Sequence, residues 1–158
     1  MRYQDQMVRA TQKALEDVVR SAQALPPDKL DWVPMGVARS VLDQMQEIAM
    51  GGTWFMPIVR ELKMPDHDTH ALEEARRRRT ENDTLEKCVV AARQSTSELC
   101  EAIETVSDEN LEDEIHLPFG GGMTVTLADV LGMHAWNMIY HLGQINQIQL
   151  MLGDRAMH

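Results

Sequence analysis

Aromatic side chains make up 4% of the 158 residues, and the chain has only two cysteines and six prolines. With so few rings, core volume has to come from Leu, Ile, Val and Ala and from twelve adaptable methionines. Both cysteines, Cys88 and Cys100, fall in one helical stretch. Twelve residues of helix hold them about 18 Å apart, too far for a disulfide within that helix. A disulfide scaffold is excluded, and a reducing, cytoplasmic setting is the simplest expectation. Basic residues are also few, 15 against 25 acidic ones, for a formal charge of −10. That balance argues against DNA or RNA phosphate as a partner and against an acidic membrane surface. No run approaches the roughly 18 apolar residues of a membrane span. The opening "MRYQDQMVRATQ" is polar and does not read as a secretory leader.

Hydrophobic periodicity, by contrast, is plentiful. Met7, Thr11, Leu15, Val18, Ala22 and Leu25 recur at helical steps until Pro26-Pro27 stops them. A second stripe opens at "SVLD", where Ser40 can cap, and runs from Val41 to Leu62. It contains Gly51-Gly52 and Pro57, which predict a kink or a break. A third opens at "DTLE", Asp83 with Glu86, and carries Leu85, Val89, Ala92, Leu99 and Ile103. The fourth opens at "TLAD", Thr126 with Asp129, and ends at Gly153. These readings predict helices over about residues 2–24, 40–63, 84–106 and 127–152 of a single domain. Residues 64–82 read as a charged surface loop with a short helix. Residues 107–125 read as an acidic, then Gly-rich connection. Four helices with at least one long crossover predict an all-α, antiparallel four-helix bundle.

The last segment is polar where a core helix need not be. His134, Asn137 and His141 step by three and four residues. At about 100° per residue they share one face, with Gln144 one turn beyond His141. Gly143 interrupts the helix at a cost of roughly 1 kcal/mol against alanine, which a closely approaching helix or ligand would explain. The competing reading is polar trim: histidines on a mostly apolar helix are usually satisfied by a carbonyl or water.

"YHLGQI" at Tyr140–Ile145, followed by "MLGD", resembles the last helix of the DinB/YfiT-like family. "LPPDKLDWVPMGVARSVLDQM" at residues 25–45 and "LPFGGGMTVTLADVL" before the last helix are similar to the same family's usage. The resemblance implies an up-down-down-up four-helix bundle, often a homodimer. It also implies a divalent metal such as Zn, Ni, Mn or Fe, held by one His from the second helix and two from an H-x-x-x-H in the fourth. Members are metal-dependent enzymes, of hydrolase type or thiol-dependent transferases using a low-molecular-weight thiol. In this sequence His141 matches the second histidine of that motif, Asn137 stands in the slot of the first, and Glu47 in that of the second-helix His. The expected roles are then Glu47 and His141 as catalytic residues and metal ligands and Asn137 as a ligand or orienter. Gln144 and Trp136 are expected beside a bound small molecule.

Carboxylate and imidazole suit zinc, iron or manganese, whereas the Asn137 amide suits a harder ion. His134 is a further candidate ligand, but about 10.5 Å of helical rise separates it from His141. A metal-free, hydrogen-bonded Glu47–Asn137–His141 cluster in a non-catalytic binding bundle is the alternative. Homodimerisation is expected from the resemblance and from Met-rich helix faces.

Other motifs carry weaker expectations. "PDHDTH" (Asp66, His67, Asp68, His70) has ligand types in a polar loop. Arg76–Arg79 reads as a solvated face beside Glu73-Glu74, and "FGGG" at Phe119–Gly122 lacks the Lys and Ser/Thr of a P-loop. Cys88 and Cys100 read as buried thiols rather than nucleophiles.

Overall fold

The computed structural model describes residues 1–64, 69–118, 121–156 and 158. Four long helices carry the four apolar stripes: α1 (Tyr3–Gln23), α2 (Val41–Glu61), α4 (Leu85–Glu104) and α5 (Leu127–Met151), with a shorter α3 (Thr69–Glu81) between α2 and α4. Each start has a local cause. Ser40 accepts from the Asp43 amide, and Thr84, one residue past the expected Asp83, accepts from the Lys87 amide. Thr126 and Asp129 make a full reciprocal capping box. α2 runs unbroken through Gly51-Gly52 and Pro57. Between α4 and α5, β1 (Glu114–Leu117) pairs antiparallel with β2 (Met123–Thr126). Ile115 and Leu117 point into the core, and the Leu127 and Ala128 amides donate to Asp113 and Leu111 carbonyls, which fixes where α5 begins.

Side-chain contacts set the helix directions. Tyr3 reaches the Ala128 carbonyl and Ser21 reaches Asn146, so α1 and α5 run parallel. Arg2 with Glu104 and Arg93 with Glu16 make α4 antiparallel to α1. Ser95 donates to Ala49 O and Gln46 to Asn82 O, so α2 lies parallel to α4. α2 meets α5 antiparallel. The bundle is therefore up-down-down-up, with α1 diagonal to α2. Two apolar clusters fill it. One, around Val18, Met45, Ile48 and Met138, occupies the end that holds the polar residues of α5. The other, around Ile58, Leu99, Ile103 and Leu131, sits over the hairpin.

The glycine pair is explained by packing. A Cβ on Gly52 would collide with the Ser95 carbonyl of α4, and one on Gly51 would meet the His134 ring of α5. Both cysteines are buried and unpaired, and burial pushes both thiols up to about 11, which makes them poor nucleophiles. No helix among the described residues is long and apolar enough to cross a membrane. Asp66, His67, Asp68, Phe119 and Gly120 lie outside the described residues.

Candidate functional site

α2 and α5 bring a partly exposed carboxylate and a buried imidazole together along their seam. His141 is 1% exposed, and its Nε2 lies 3.0 Å from Glu47 Oε1. Asn137, one turn earlier on α5, donates to the same oxygen at 3.2 Å. Glu47 Oε2 accepts from Arg39 Nη1 at 2.5 Å. Arg39 stands just before the Ser40 cap and folds back along α2, also bonding the Asp43 carboxylate and, through Nη2, the Asp43 carbonyl.

The other edge of the imidazole is equally occupied. His141 Nδ1 faces Gln44 Oε1 at 3.1 Å and Gln144 Oε1 at 3.3 Å. The Gln44 amide nitrogen donates to Arg39 O, which turns its oxygen toward the ring. Both ring nitrogens thus face side-chain oxygens, the amides on one edge and the Glu47 carboxylate on the other. The hydrogen bond from His141, with those from Arg39 and Asn137, holds the Glu47 carboxyl well below the usual carboxylate range.

Arg39 and Gln44 are the members that sequence reasoning missed. Gln44 had a signal, three residues before Glu47 on the same helical face. Arg39 lies outside the helix, where periodicity says nothing. Arg79 also differs from its expected solvated role: it leaves the Arg76–Arg79 run to bond both the carboxylate and the carbonyl of Asp43. Arg77 and Arg78, by contrast, pair with Glu74.

His134 and Trp136 are not brought to this pair. His134 lies deeper in the bundle, with Nε2 3.1 Å from Thr96 Oγ1 and its ring beside Phe55. Burial lowers its pKa to about 4. Trp136 is 67% exposed and stacks on Tyr140 on the outer face of α5. Gln144 does line a cleft of about 490 Å³ beside the pair, with Arg39, Gln44, Tyr140, Pro34 and Met151.

The donor set does not fit a resident transition metal. One imidazole nitrogen is aimed at the centre, and it faces a carboxylate whose two oxygens already accept three hydrogen bonds. The Asn137 amide presents its NH₂ group to that carboxylate rather than an oxygen. A fixed guanidinium balances the negative charge that a metal would need. Among the described residues, no three His, Cys, Asp or Glu side chains converge as ligands.

No curated protein matches the sequence. Solved structures resemble it in fold. YfiT from Bacillus subtilis, described as a probable metal-dependent hydrolase with an unusual four-helix bundle topology, superposes with a TM-score of 0.75 at 14% identity, over 96% of this chain and 88% of that one. A DinB-like protein from the same organism gives 0.66 at 17% identity, over 97% and 96%. A mycothiol-dependent maleylpyruvate isomerase gives 0.63 at 13% identity, over 94% of this chain and 66% of that one. The family model of the DinB superfamily matches residues 9–145. With the bundle order, the capped second helix and the "YHLGQI" segment in place, the chain belongs to the DinB superfamily.

Proposed function

We propose that this chain is a small-molecule-binding bundle in which a metal-free, hydrogen-bonded Glu47–Asn137–His141 cluster replaces the metal centre its resemblance implies. The observation that carries the reading is the saturation of Glu47: His141, Asn137 and Arg39 all donate to it. A carboxylate held so far below its usual range is a weak general base and has little left to offer a cation. The pair acts instead as a rigid floor. It orients Gln44 and Gln144 at the edge of the cleft, where Arg39 and Tyr140 also stand. Guanidinium and amide donors at one end, with Pro34, Ile148 and Met151 as apolar wall, suit a compact ligand with a carboxylate or carbonyl head and an apolar body. The metal-assisted hydrolase or thiol-transferase reading draws support from what YfiT and the maleylpyruvate isomerase are described as doing. The donor set of this chain supports it less.

Three measurements test the proposal. Untagged protein purified without chelator is expected to carry less than about a tenth of an equivalent of transition metal and to take up no added zinc, nickel or manganese. Glu47→Ala, which leaves His141, Asn137 and Arg39 without their shared carboxylate, is expected to lower unfolding free energy by about 1–3 kcal/mol. Near-stoichiometric metal that Glu47→Ala removes without loss of stability would sink the metal-free reading. Binding itself is read by NMR. Short aliphatic carboxylic acids and their amides should shift the side-chain amide signals of Gln44 and Gln144, and Arg39→Ala should abolish the response. If no member of that series moves those signals, the cleft is not a binding site for this class.

A further inference from the structure

Gly143 stands apart from the other glycines of the long helices. A Cβ on Gly51 or Gly52 would collide with α5 or α4, and one on Gly132 would touch Met7 at 3.5 Å. A Cβ on Gly143 would meet nothing within 4 Å. Packing inside the chain does not require this glycine, and glycine weakens a helix interior. What Gly143 faces is the cleft. Tyr140, Gly143, Gln144, Gln147 and Met151 line it from α5, at the three- and four-residue steps of one helical strip. From Tyr140 to Met151 that strip is about 16 Å long. Pro34 and Arg39 line the cleft from the connection that leads into α2.

Building on the reading that this cleft takes a molecule with a carboxylate or carbonyl head, we infer that the body of its ligand is a flat aromatic ring lying against the bare backbone of Gly143. The surfaces that meet there are flat and stiff. Tyr140 is held by two neighbours, stacked on Trp136 with ring centroids 5.7 Å apart and edge-on to His141 at 5.5 Å. Its ring is therefore in place before a ligand arrives, and little side-chain freedom is lost on contact. Pro34 presents a rigid ring, and Gly143 presents backbone with no Cβ in front of it. The face of an aromatic ring touches such walls over its whole area at one depth. A puckered or branched body of the same size is thicker and touches them at fewer points. Tyr140 adds the offset or edge-to-face attraction that only another aromatic ring returns. Donors remain for the head. Of the five N–H groups of a guanidinium, Arg39 directs three to the Asp43 carboxylate, the Glu47 carboxylate and the Asp43 carbonyl, which leaves two. Gln144 turns its oxygen to His141, which leaves its NH₂ group for the same head. Gly143 is thus a specificity-determining position: it binds no head group and sets the thickness of the body.

Three acids test this by NMR titration of the full chain, read at the Gln44 and Gln144 side-chain amides. Benzoate and cyclohexanecarboxylate carry one head on a flat and on a puckered six-membered ring, and propionate carries it on a short tail. Benzoate should bind several times more tightly than cyclohexanecarboxylate. Gly143→Ala should cut the preference for benzoate over propionate at least about tenfold. The same variant should raise the thermal midpoint by about 2–4 °C, because alanine favours the helix. Tyr140→Leu gives a check that does not depend on that variant: it should remove the preference for benzoate over cyclohexanecarboxylate. Cyclohexanecarboxylate bound as tightly as benzoate overturns the inference, as does a benzoate preference that Gly143→Ala leaves unchanged. A midpoint lowered by Gly143→Ala would mean that the fold needs the glycine, and equally overturns it. In each of these cases propionate still moving the Gln44 and Gln144 signals keeps the binding reading intact. Silence from all three acids sinks that reading and this inference with it.

Discussion

His134 illustrates how burial fixes the chemistry of one side chain. It is 1% exposed, Thr96 partners its Nε2, and Nδ1 has no hydrogen-bond partner among the described residues. An imidazolium there would be desolvated with no carboxylate to pair it, so the folded chain holds the ring neutral. Its folded pKa of about 4 lies below the ordinary 6.5. Between those values the unfolded chain binds the extra proton and the folded one does not. The contribution to stability is therefore whole above about pH 6.5 and is lost as pH falls toward 4, up to roughly 3 kcal/mol. Urea unfolding of wild type and His134→Gln at pH 7.5 and pH 5 should show the wild type losing about 2 kcal/mol more than the variant. Equal losses would mean that this ring is not the acid-sensitive group. Glu47 adds a second acid sensitivity of the same sign at lower pH: its carboxyl titrates below the usual range, so its contribution is present above about pH 4.5 and fades beneath it. The meeting of Glu47 and His141 is legible from the family resemblance, while helical spacing alone places only Asn137 beside His141. The assignment of His134 to a different layer follows from its rise along α5, but its partner Thr96 does not, because contacts between α4 and α5 depend on how the bundle closes. Arg39 is hidden for the same reason: it lies outside any periodic element and reaches the site through four rotatable side-chain bonds.

At the level of the helices, caps and stripes specify the elements, and glycines specify how closely two of them approach. Ser40, Thr84 and Thr126 each start a helix through an ordinary cap hydrogen bond, which is why the helix starts can be read from the sequence to within a residue or so. The Gly51-Gly52 pair is a different case. A breaker signal in isolation, it lies in an unbroken α2, because its effect is sideways rather than along the axis. Gly52 admits the α4 backbone at Ser95, and Gly51 admits the His134 ring from α5. The two should respond differently to a methyl group. Gly51→Ala meets a side chain, with His134 Nδ1 2.6 Å from the new Cβ, and the ring can tilt. Gly52→Ala meets backbone, which can yield only if α2 and α4 separate. Overpacking costs of about 1–3 kcal/mol are expected, with Gly52→Ala at or above the upper end and Gly51→Ala below it. Equilibrium unfolding of both variants checks the order, and a reversed order would place the tightest contact of the bundle elsewhere. The short α3 belongs to this scale as well. Its composition reads as solvated charge, yet Arg79 ties it to Asp43 beside the site, a long-range pairing that local sequence does not encode.

For the whole molecule, the distribution of charge matters more than the total. Acidic residues outnumber basic ones by ten, and the ion pairs on α1, α3 and α4 leave that excess spread over the bundle, while the outer face of α5 carries none. Self-repulsion of that excess works against the compact state. Raising sodium chloride from about 20 mM to 300 mM shortens the screening length from roughly 20 Å to under 6 Å. The repulsion among the acidic faces falls, and the attraction within exposed pairs such as Lys13–Asp17 and Lys87–Asp83 falls with it. Those pairs contribute little each, so the loss of repulsion is the larger effect. The urea midpoint at pH 7.5 should therefore rise with salt across this range. A midpoint that falls would mean that the surface ion pairs stabilise the bundle by more than the net charge destabilises it.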